Sequence, residues 1–443
     1  MPTFALKTFG CQMNYSDSER VAHLLERYGF TNGKDSKFQD LLVVNTCSIR
    51  QKSEDKAYGY MVNKKRQFPK MKIAVTGCMV RKTGLKGKGK DKLLKYNPID
   101  FVFRIEDLPQ LPALLKEIFP KEISESKEFG SGTLENYFQI VPIVENKTQV
   151  LVPIMQGCNK FCTYCIVPFS RGKELSRPMD EISKECEAHV RSGAKEITLL
   201  GQNVNSYTYQ GKKYFADLLR KIDALHALGL SRIRFTAPHP QDFTDDVIEA
   251  LAEMKTSCPY IHLPAQHGSD RILKLMNRNY TAEKYEGIVA RLRKKIPEVC
   301  IATDIIVGFP GETKDDFQKL LDFGRRVKFD FSYTAIFSPR KGTVAAEKMK
   351  DAFISLPEKK KRFAEFDALI KETSWLRRDK AIGKVLEVLV EKSEKQKNGK
   401  YMNTGRSREF FEVYFPAGRN YVAQEVAVKI THRDRYILYG EPA

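Results

Sequence analysis

The sequence predicts an α/β protein in three parts. These are an N-terminal parallel-sheet α/β domain, a central partial (β/α)6 barrel, and a small antiparallel β-barrel at the C-terminus. Three observations predict it. Short apolar runs alternate with helical patterns through the first two thirds of the chain, which implies parallel sheets. Six such runs fall in the middle, enough for a partial barrel open along one side. Towards the end the helical patterns stop, and short β-rich runs punctuated by glycine take over. The expected boundaries are 1–120, a linker at 121–143, 144–374 and 375–443.

In the first part, residues 4–7, 41–44 and 72–75 read as strands and 54–68 as a helix. Residues 16–28 read as a helix with Val21, Leu24 and Leu25 on one face. Residues 82–95 form a Gly/Lys-rich loop, expected to be mobile or to face a polyanion. Residues 121–137 have few apolar side chains and carry Gly-Ser-Gly, the mark of a linker. The six central strands are expected at 150–155, 197–200, 232–236, 260–263, 300–307 and 331–337. The helix 178–191 opens with Pro at its first turn. The last part offers strands at 385–390, 409–414, 425–430 and 436–439 and around Tyr401, with Gly399, Gly405 and Gly418 between them.

Composition narrows the function. The 443 residues are 42% hydrophobic, which excludes wholesale disorder. The longest apolar stretches, such as 301–309, are too short and interrupted to span a bilayer. The N-terminus shows no signal-peptide pattern, so a cytoplasmic protein is expected. Nine cysteines are too few, and odd in number, for a disulfide scaffold. In a reducing compartment, clustered cysteines bind metal or react. The net charge is +20, and each of 1–130, 131–379 and 380–443 carries an excess of cations. A basic balance spread this widely favours a large polyanion such as RNA, although a thermophile-like Lys-rich surface has the same composition.

Cys158, Cys162 and Cys165 follow the first central strand directly. Three thiolates in one loop can hold three irons of a 4Fe–4S cluster and leave the fourth iron open. The amino and carboxylate groups of S-adenosylmethionine can fill that position. An electron passed into the sulfonium then breaks a carbon–sulfur bond and releases a 5′-deoxyadenosyl radical. A zinc loop would need a fourth Cys or His nearby, and none flanks this one. Cys11, Cys47 and Cys78 are far apart in sequence, yet each follows an apolar strand. In a parallel sheet they fall at one carboxyl edge, where ligands gather. There they form either a second three-thiolate cluster site, with Gly10 and Gly77 letting the backbone come close, or three separate buried thiols. Cys186, Cys258 and Cys300 read as structural.

The central loop resembles that of the radical S-adenosylmethionine superfamily. Gln156-Gly157-Cys158, Thr163-Tyr164-Cys165-Ile166-Val167-Pro168 and Arg171-Gly172-Lys173-Glu174-Leu175-Ser176-Arg177 are similar to its methylthiotransferase branch. So are Thr8-Phe9-Gly10-Cys11-Gln12-Met13-Asn14, Asn45-Thr46-Cys47-Ser48-Ile49-Arg50 and Gly77-Cys78-Met79, which favour the cluster reading of the scattered cysteines. The resemblance covers nearly the whole chain, including a terminal β-domain like the TRAM module. It implies cofactor contacts at Tyr164, Gly201, Gln202, Thr236, Asp304, Ile306 and Gly308. The turns involved include Leu199-Leu200-Gly201-Gln202 and Asp304-Ile305-Ile306-Val307-Gly308-Phe309-Pro310-Gly311-Glu312. His267 stands where that family typically has Ser, and a surface hydrogen-bonding role is expected for it.

The implied reaction replaces the hydrogen at carbon 2 of an N6-isopentenyl adenosine beside the anticodon with a methylthio group. It uses two 4Fe–4S clusters and two S-adenosylmethionine molecules. The expected partners are a tRNA anticodon stem-loop, an electron donor such as flavodoxin or ferredoxin, and a sulfur donor, with no membrane. Lys400, Tyr401, Arg406, Arg408, Phe410 and Phe411 interleave cations with aromatics, which suits RNA contact. Alternatives are methylthiotransferases acting on a ribosomal-protein aspartate or a threonylcarbamoyl adenosine, and an iron–sulfur RNA-binding regulator. A ribosomal protein is itself basic and would be repelled by this chain.

Overall fold

The computed structural model describes residues 1–33, 38–48, 51–121, 123 and 133–443. The chain gathers into two compact units. The first comprises Met1–Phe161, Cys165–Glu185 and Leu199–Gln202; the second comprises Cys162–Tyr164, Cys186–Thr198 and Asn203–Ala443.

The first unit is built on a six-stranded sheet. Its order is Thr31–Asn32, Thr3–Phe9, Leu41–Thr46, Lys72–Gly77, Phe101–Val102, Gly84–Leu85. All neighbours are parallel except the last pair. The central strand Leu41–Thr46 is buried along its whole length, as a parallel strand covered on both faces must be. Successive side chains of a strand point to opposite faces. Accordingly Leu41 and Val43 pack with Val21, Leu24 and Leu25 of the helix Gln12–Arg27. Leu42 and Val44 pack with Ala57 and Met61 of the helix Gln51–Gln67 on the other side. The stretch expected as a linker is packed over its second half. Tyr137, Phe138 and Ile140 enter the same core as Leu41 and Val43. The Gly-Ser-Gly of the linker lies outside the described residues.

The register brings the ends of three neighbouring strands level, with Phe9 opposite Thr46 and Thr46 opposite Gly77. Cys47 and Cys78 come one residue later and Cys11 two, so all three leave the sheet at its carboxyl edge. Gly77 has φ +88°, and a Cβ there would stand 2.4 Å from both Asn45 Oδ1 and the Thr46 carbonyl. A Cβ on Gly10 would meet Asn14 Oδ1 at 2.2 Å. These glycines make room for neighbouring asparagines.

All six central strands are present, as Gln149–Pro153, Glu196–Leu200, Arg232–Phe235, Tyr260–His262, Cys300–Val307 and Phe331–Ile336. In the second unit the last three form a parallel sheet in sequence order. The terminal segment is a closed five-stranded barrel. Its order is Val385–Lys395, Tyr401–Ser407, Glu412–Ala417, Ile437–Pro442, Glu425–Asp434. Val388, Val413, Phe415, Val428, Ile430 and Leu438 fill it. One pair, Glu412–Ala417 with Ile437–Pro442, is parallel rather than antiparallel. Those two strands meet only when the barrel closes, and no local turn dictates their direction.

The barrel belongs to the second unit and is held there by arginines. Arg232 is fully buried. It donates to Glu425 (2.8 Å) and to the carbonyls of Arg406 (2.8 Å) and Glu387 (3.1 Å). Arg234 bridges Glu196 (2.8 Å) and the Ser407 carbonyl (3.0 Å).

Replacing Gly77 by Ala should destabilise the protein more than the same change at Gly29. Gly29 also has positive φ, +85°, but nothing stands within 4 Å of its missing Cβ. Strain alone costs roughly 1–2 kcal/mol at Gly29, and the clash at Gly77 adds about 1–3 kcal/mol. Denaturant midpoints of the two variants would show it; equal losses would mean that the carboxyl edge is not tightly packed.

Candidate metal centres

The carboxyl edge of the first unit is a buried polar network around the three scattered cysteines. Asn14 accepts from the Cys11 amide (3.2 Å) and donates to Asn45 Oδ1 (2.9 Å) and the Thr46 carbonyl (3.2 Å). Asn45 donates back to the Asn14 carbonyl (2.8 Å). This reciprocal asparagine pair ties the Cys11 loop to the Cys47 loop. Cys47 and Cys78 are buried and Cys11 is exposed. Cys11 precedes a 16-residue helix and donates from Sγ to Asn14 Oδ1 at 3.4 Å, and desolvation raises its thiol above the usual range. The thiols converge. A hydrogen bond from Cys47, and then the Arg171 guanidinium, hold the Cys78 thiol well below the usual range against the opposing effect of burial.

Arg171 lies in the segment following the central cysteine loop, in the same unit. It is 3% exposed and donates to Asp17 Oδ2 at 2.7 Å. Tyr137 donates to the other Asp17 oxygen at 2.6 Å. Arg171 Nη1 is buried with no hydrogen-bond partner. Ile49 and Arg50 of the second motif lie outside the described residues.

The central loop starts in the first unit. The hairpin Met155–Gln156 with Leu175–Ser176 leads into it. Gln202 accepts from the Gly157 amide at 2.6 Å, so this expected cofactor contact also fixes the loop's entry. Cys165 Sγ accepts from the Val167 amide at 3.4 Å. Cys162 belongs to the second unit, where its Sγ accepts from Arg278 Nη1 at 3.5 Å. Nothing in the sequence pointed to Arg278. Among the described residues, no three His, Cys, Asp or Glu side chains gather tightly enough to grip a single ion. A cubane makes a different demand, because each thiolate binds its own iron. N–H donors to Cys162 and Cys165 in the central loop, and the buried Arg171 guanidinium beside Cys78 in the other set, suit an anionic cluster.

In the second unit, Thr163 is pinned by the carbonyls of Met276 (3.1 Å) and Leu275 (2.8 Å). This sets Tyr164 edge-on to Phe309, with ring centroids 6.4 Å apart. Ile306 joins the same apolar cluster. Gly308 and Phe309 donate their amides to Glu312 Oε2, at 2.7 and 3.1 Å. Arg362 holds the other oxygen at 2.7 Å. His267 is fully buried, not on the surface as expected. Its Nδ1 accepts from the Ser269 amide (3.0 Å), so Nε2 carries the proton and faces Glu312 Oε2 at 3.4 Å. Although burial raises it, hydrogen bonds from His267 and Arg362 hold the Glu312 carboxyl below its ordinary 4.5. Asp304 stands 3.3 Å from His262 Nε2. Thr236 follows the strand Arg232–Phe235, and Gly201 follows Glu196–Leu200. Cys186, Cys258 and Cys300 are buried and form no disulfide.

The expected RNA contacts divide. Phe411 is in the barrel core. Phe410 stacks on Tyr260 (4.5 Å) beneath Arg234 and Arg406. Arg408 is engaged internally by Glu387 (2.9 Å) and the carbonyls of Ser231 (3.0 Å) and Ser257 (3.2 Å). Arg406 pairs with Glu391 at 3.5 Å. The interleaving of cations and aromatics is largely the internal stacking of the dock. Lys400 is exposed and Tyr401 half-buried on the barrel surface.

A cysteine loop leaving a strand of an α/β frame, with an aromatic ring set against the turn after a later strand, defines the class of radical S-adenosylmethionine proteins. Residues 152–324 match the family model described as the Radical SAM superfamily, and residues 3–103 match Uncharacterized protein family UPF0004. The class implies a 4Fe–4S cluster and S-adenosylmethionine. More narrowly, the chain belongs to the family of the tRNA-2-methylthio-N(6)-dimethylallyladenosine synthases. It is 41% identical over 448 residues to the protein of that name from Carboxydothermus hydrogenoformans, covering 99% of this chain and 98% of the relative. It is equally identical to that from Clostridium botulinum strain Loch Maree, covering 99% and 96%. Among solved structures, the radical S-adenosylmethionine methyltransferase TsrM from Kitasatospora setae shares the fold, with TM-score 0.51 and 14% identity over 76% of this chain and 73% of that one. The cobalamin-dependent S-adenosylmethionine radical enzyme OxsB gives 0.52 and 13% over 85% and 56%. Among the described residues, no helix is long and apolar enough to cross a membrane.

Arg171→Met should leave Asp17 buried without its cation and cost about 3–5 kcal/mol. Arg191→Met removes an exposed pair with Glu187 and should cost within about 0.5 kcal/mol. Comparable losses in urea unfolding would refute a buried charge network at the edge. Glu312 contributes stability above pH 4.5 that is lost as pH falls through its lower folded value. Glu312→Gln should therefore flatten the acid limb of the stability curve, and an unchanged limb would contradict the arrangement.

Proposed function

We propose that the protein is a tRNA methylthiotransferase that places sulfur and a methyl group at carbon 2 of an N6-isopentenyl adenosine beside the anticodon. Two 4Fe–4S clusters and two S-adenosylmethionine molecules serve the reaction. The observation that carries this is a second set of three converging thiols, Cys11, Cys47 and Cys78, in the same chain as the Cys158, Cys162, Cys165 loop. Near-full-length identity to synthases named for the same product supports it.

When bound, the clusters and S-adenosylmethionine supply a radical able to take hydrogen from an unactivated carbon, together with the sulfur to be transferred. The chain's own residues position and insulate. Cys158, Cys162 and Cys165 hold one cluster, with Arg278 and the Val167 amide donating to its thiolates. Cys11, Cys47 and Cys78 hold the other, with Arg171 offsetting its negative charge. Tyr164, Gly201, Gln202, Thr236, Asp304, Ile306 and Gly308 receive S-adenosylmethionine, and Glu312 keeps the Gly308 turn in shape. Lys400, Tyr401 and Arg406 offer the barrel's contribution to RNA binding. An electron donor such as flavodoxin or ferredoxin and a sulfur donor complete the system.

Anaerobic reconstitution should give roughly eight irons per wild-type chain, and about four when either cysteine triplet is replaced by Ala. Wild type that never exceeds the iron of one cluster would remove the second centre. With reductant, sulfide and S-adenosylmethionine, the prenylated anticodon stem-loop should be methylthiolated ahead of a threonylcarbamoyl stem-loop and a ribosomal-protein peptide. Preference for either competitor overturns the substrate.

A further inference from the structure

The Gly/Lys-rich stretch after Cys78 is folded. Gly84–Leu85 pairs antiparallel with Phe101–Val102 at the sheet edge. Asp91 is buried and accepts the amides of Arg81 (2.7 Å), Lys82 (2.8 Å) and Leu93 (2.9 Å). It thereby caps the 3-10 turn Lys92–Lys95, which Leu93 and Leu94 anchor in the core. Residues 81–95 contain seven cations and one acid, and that acid is Asp91. Every one of the seven cations is exposed. Lys88 has Glu117 at 2.9 Å in an exposed pair, and Lys86 donates to the Asn97 carbonyl at 2.9 Å. Lys82, Lys90, Lys92 and Lys95 have no acidic partner among the described residues. The fold thus turns the local acid inward and leaves four ammonium groups outward on a fixed edge.

The patch is joined to the metal site. Arg81 Nη1 donates to the Cys78 carbonyl at 2.6 Å. Lys82 is four residues beyond Cys78, so their Cα atoms lie within about 15 Å of each other. Whatever reacts at the cysteine edge passes close to these charges. Ammonium point charges on a glycine-spaced backbone suit the regular negative charge of a nucleic-acid strand.

We propose that the edge 81–95 is a phosphate-binding surface for the backbone of the substrate RNA, distinct from the terminal barrel; this rests on the tRNA reading above. The test measures binding of the prenylated anticodon stem-loop to the full chain by fluorescence anisotropy across a salt series. The patch variant is K82Q/K90Q/K92Q/K95Q. The control, K294Q/K295Q/K360Q/K361Q, removes the same net charge from exposed lysines of the second unit.

Binding by the patch variant should weaken roughly tenfold or more at fixed salt, and its slope of log K against log salt should become shallower by about 3. The double variant K82Q/K90Q, which spares the capped turn, should show about half that change in slope. The control should stay within about twofold of wild type, since charge far from the strand is screened. Patch and control variants that behave alike, or a patch variant with the wild-type slope, overturn this surface alone. A wild-type chain that does not bind the stem-loop overturns the tRNA reading itself, and this inference with it.

Discussion

Asp17 is a carboxylate with no access to water, and the first unit is arranged around neutralising it. Tyr137 reaches it from the segment before the first central strand, and Arg171 from the segment after the cysteine loop. Three stretches far apart in sequence are thus joined at one buried charge. A buried ion pair is a weak source of net stability, but breaking one is costly, so it selects a single arrangement. The same guanidinium acts on the Cys78 thiol. The charge that orders the fold therefore also lowers the pKa of a cysteine thiol, so packing and thiol chemistry are linked here.

A second buried carboxylate plays a corresponding part in the second unit. Glu312 takes two backbone amides of the Gly308 turn and is answered by Arg362 and His267. The turn after the strand Cys300–Val307 is thereby fixed in shape. In both units the groups expected to meet the cofactor sit on loops. In the second unit Glu312 holds such a loop directly, and in the first Asp17 ties together the helices that carry Tyr137 and Arg171, which favours the positional accuracy that radical chemistry demands.

The terminal barrel shows how one composition serves two ends. Its arginines and phenylalanines look in sequence like a nucleic-acid surface. In the structure, Arg408 donates to the Ser231 and Ser257 carbonyls, Phe410 meets Arg234 and Tyr260 within the second unit, and Phe411 fills the barrel. Stacked guanidinium and aromatic rings suit a protein–protein dock as well as they suit RNA. Alternation along a strand does not say which partner a side chain faces.

The strands, their order along the chain and the cysteine positions were legible in the sequence. Apolar runs such as Leu41–Thr46 can be stable only inside a covered sheet, and a Cys directly after such a run falls at its carboxyl end. The reason is local: periodicity and strand polarity are properties of short segments. The sequence alone could not show that His267 is buried against Glu312, that Arg278 serves Cys162, or that Tyr137, Phe138 and Ile140 of the expected linker enter the core. Nor could it show that Gly10 and Gly77 make room for an asparagine pair. Apart from Gly10, which meets Asn14 in the next turn, each of these depends on partners tens to more than a hundred residues away. Only the tertiary structure brings such groups together, because hydrogen bonds and ion pairs leave no periodic trace along the chain.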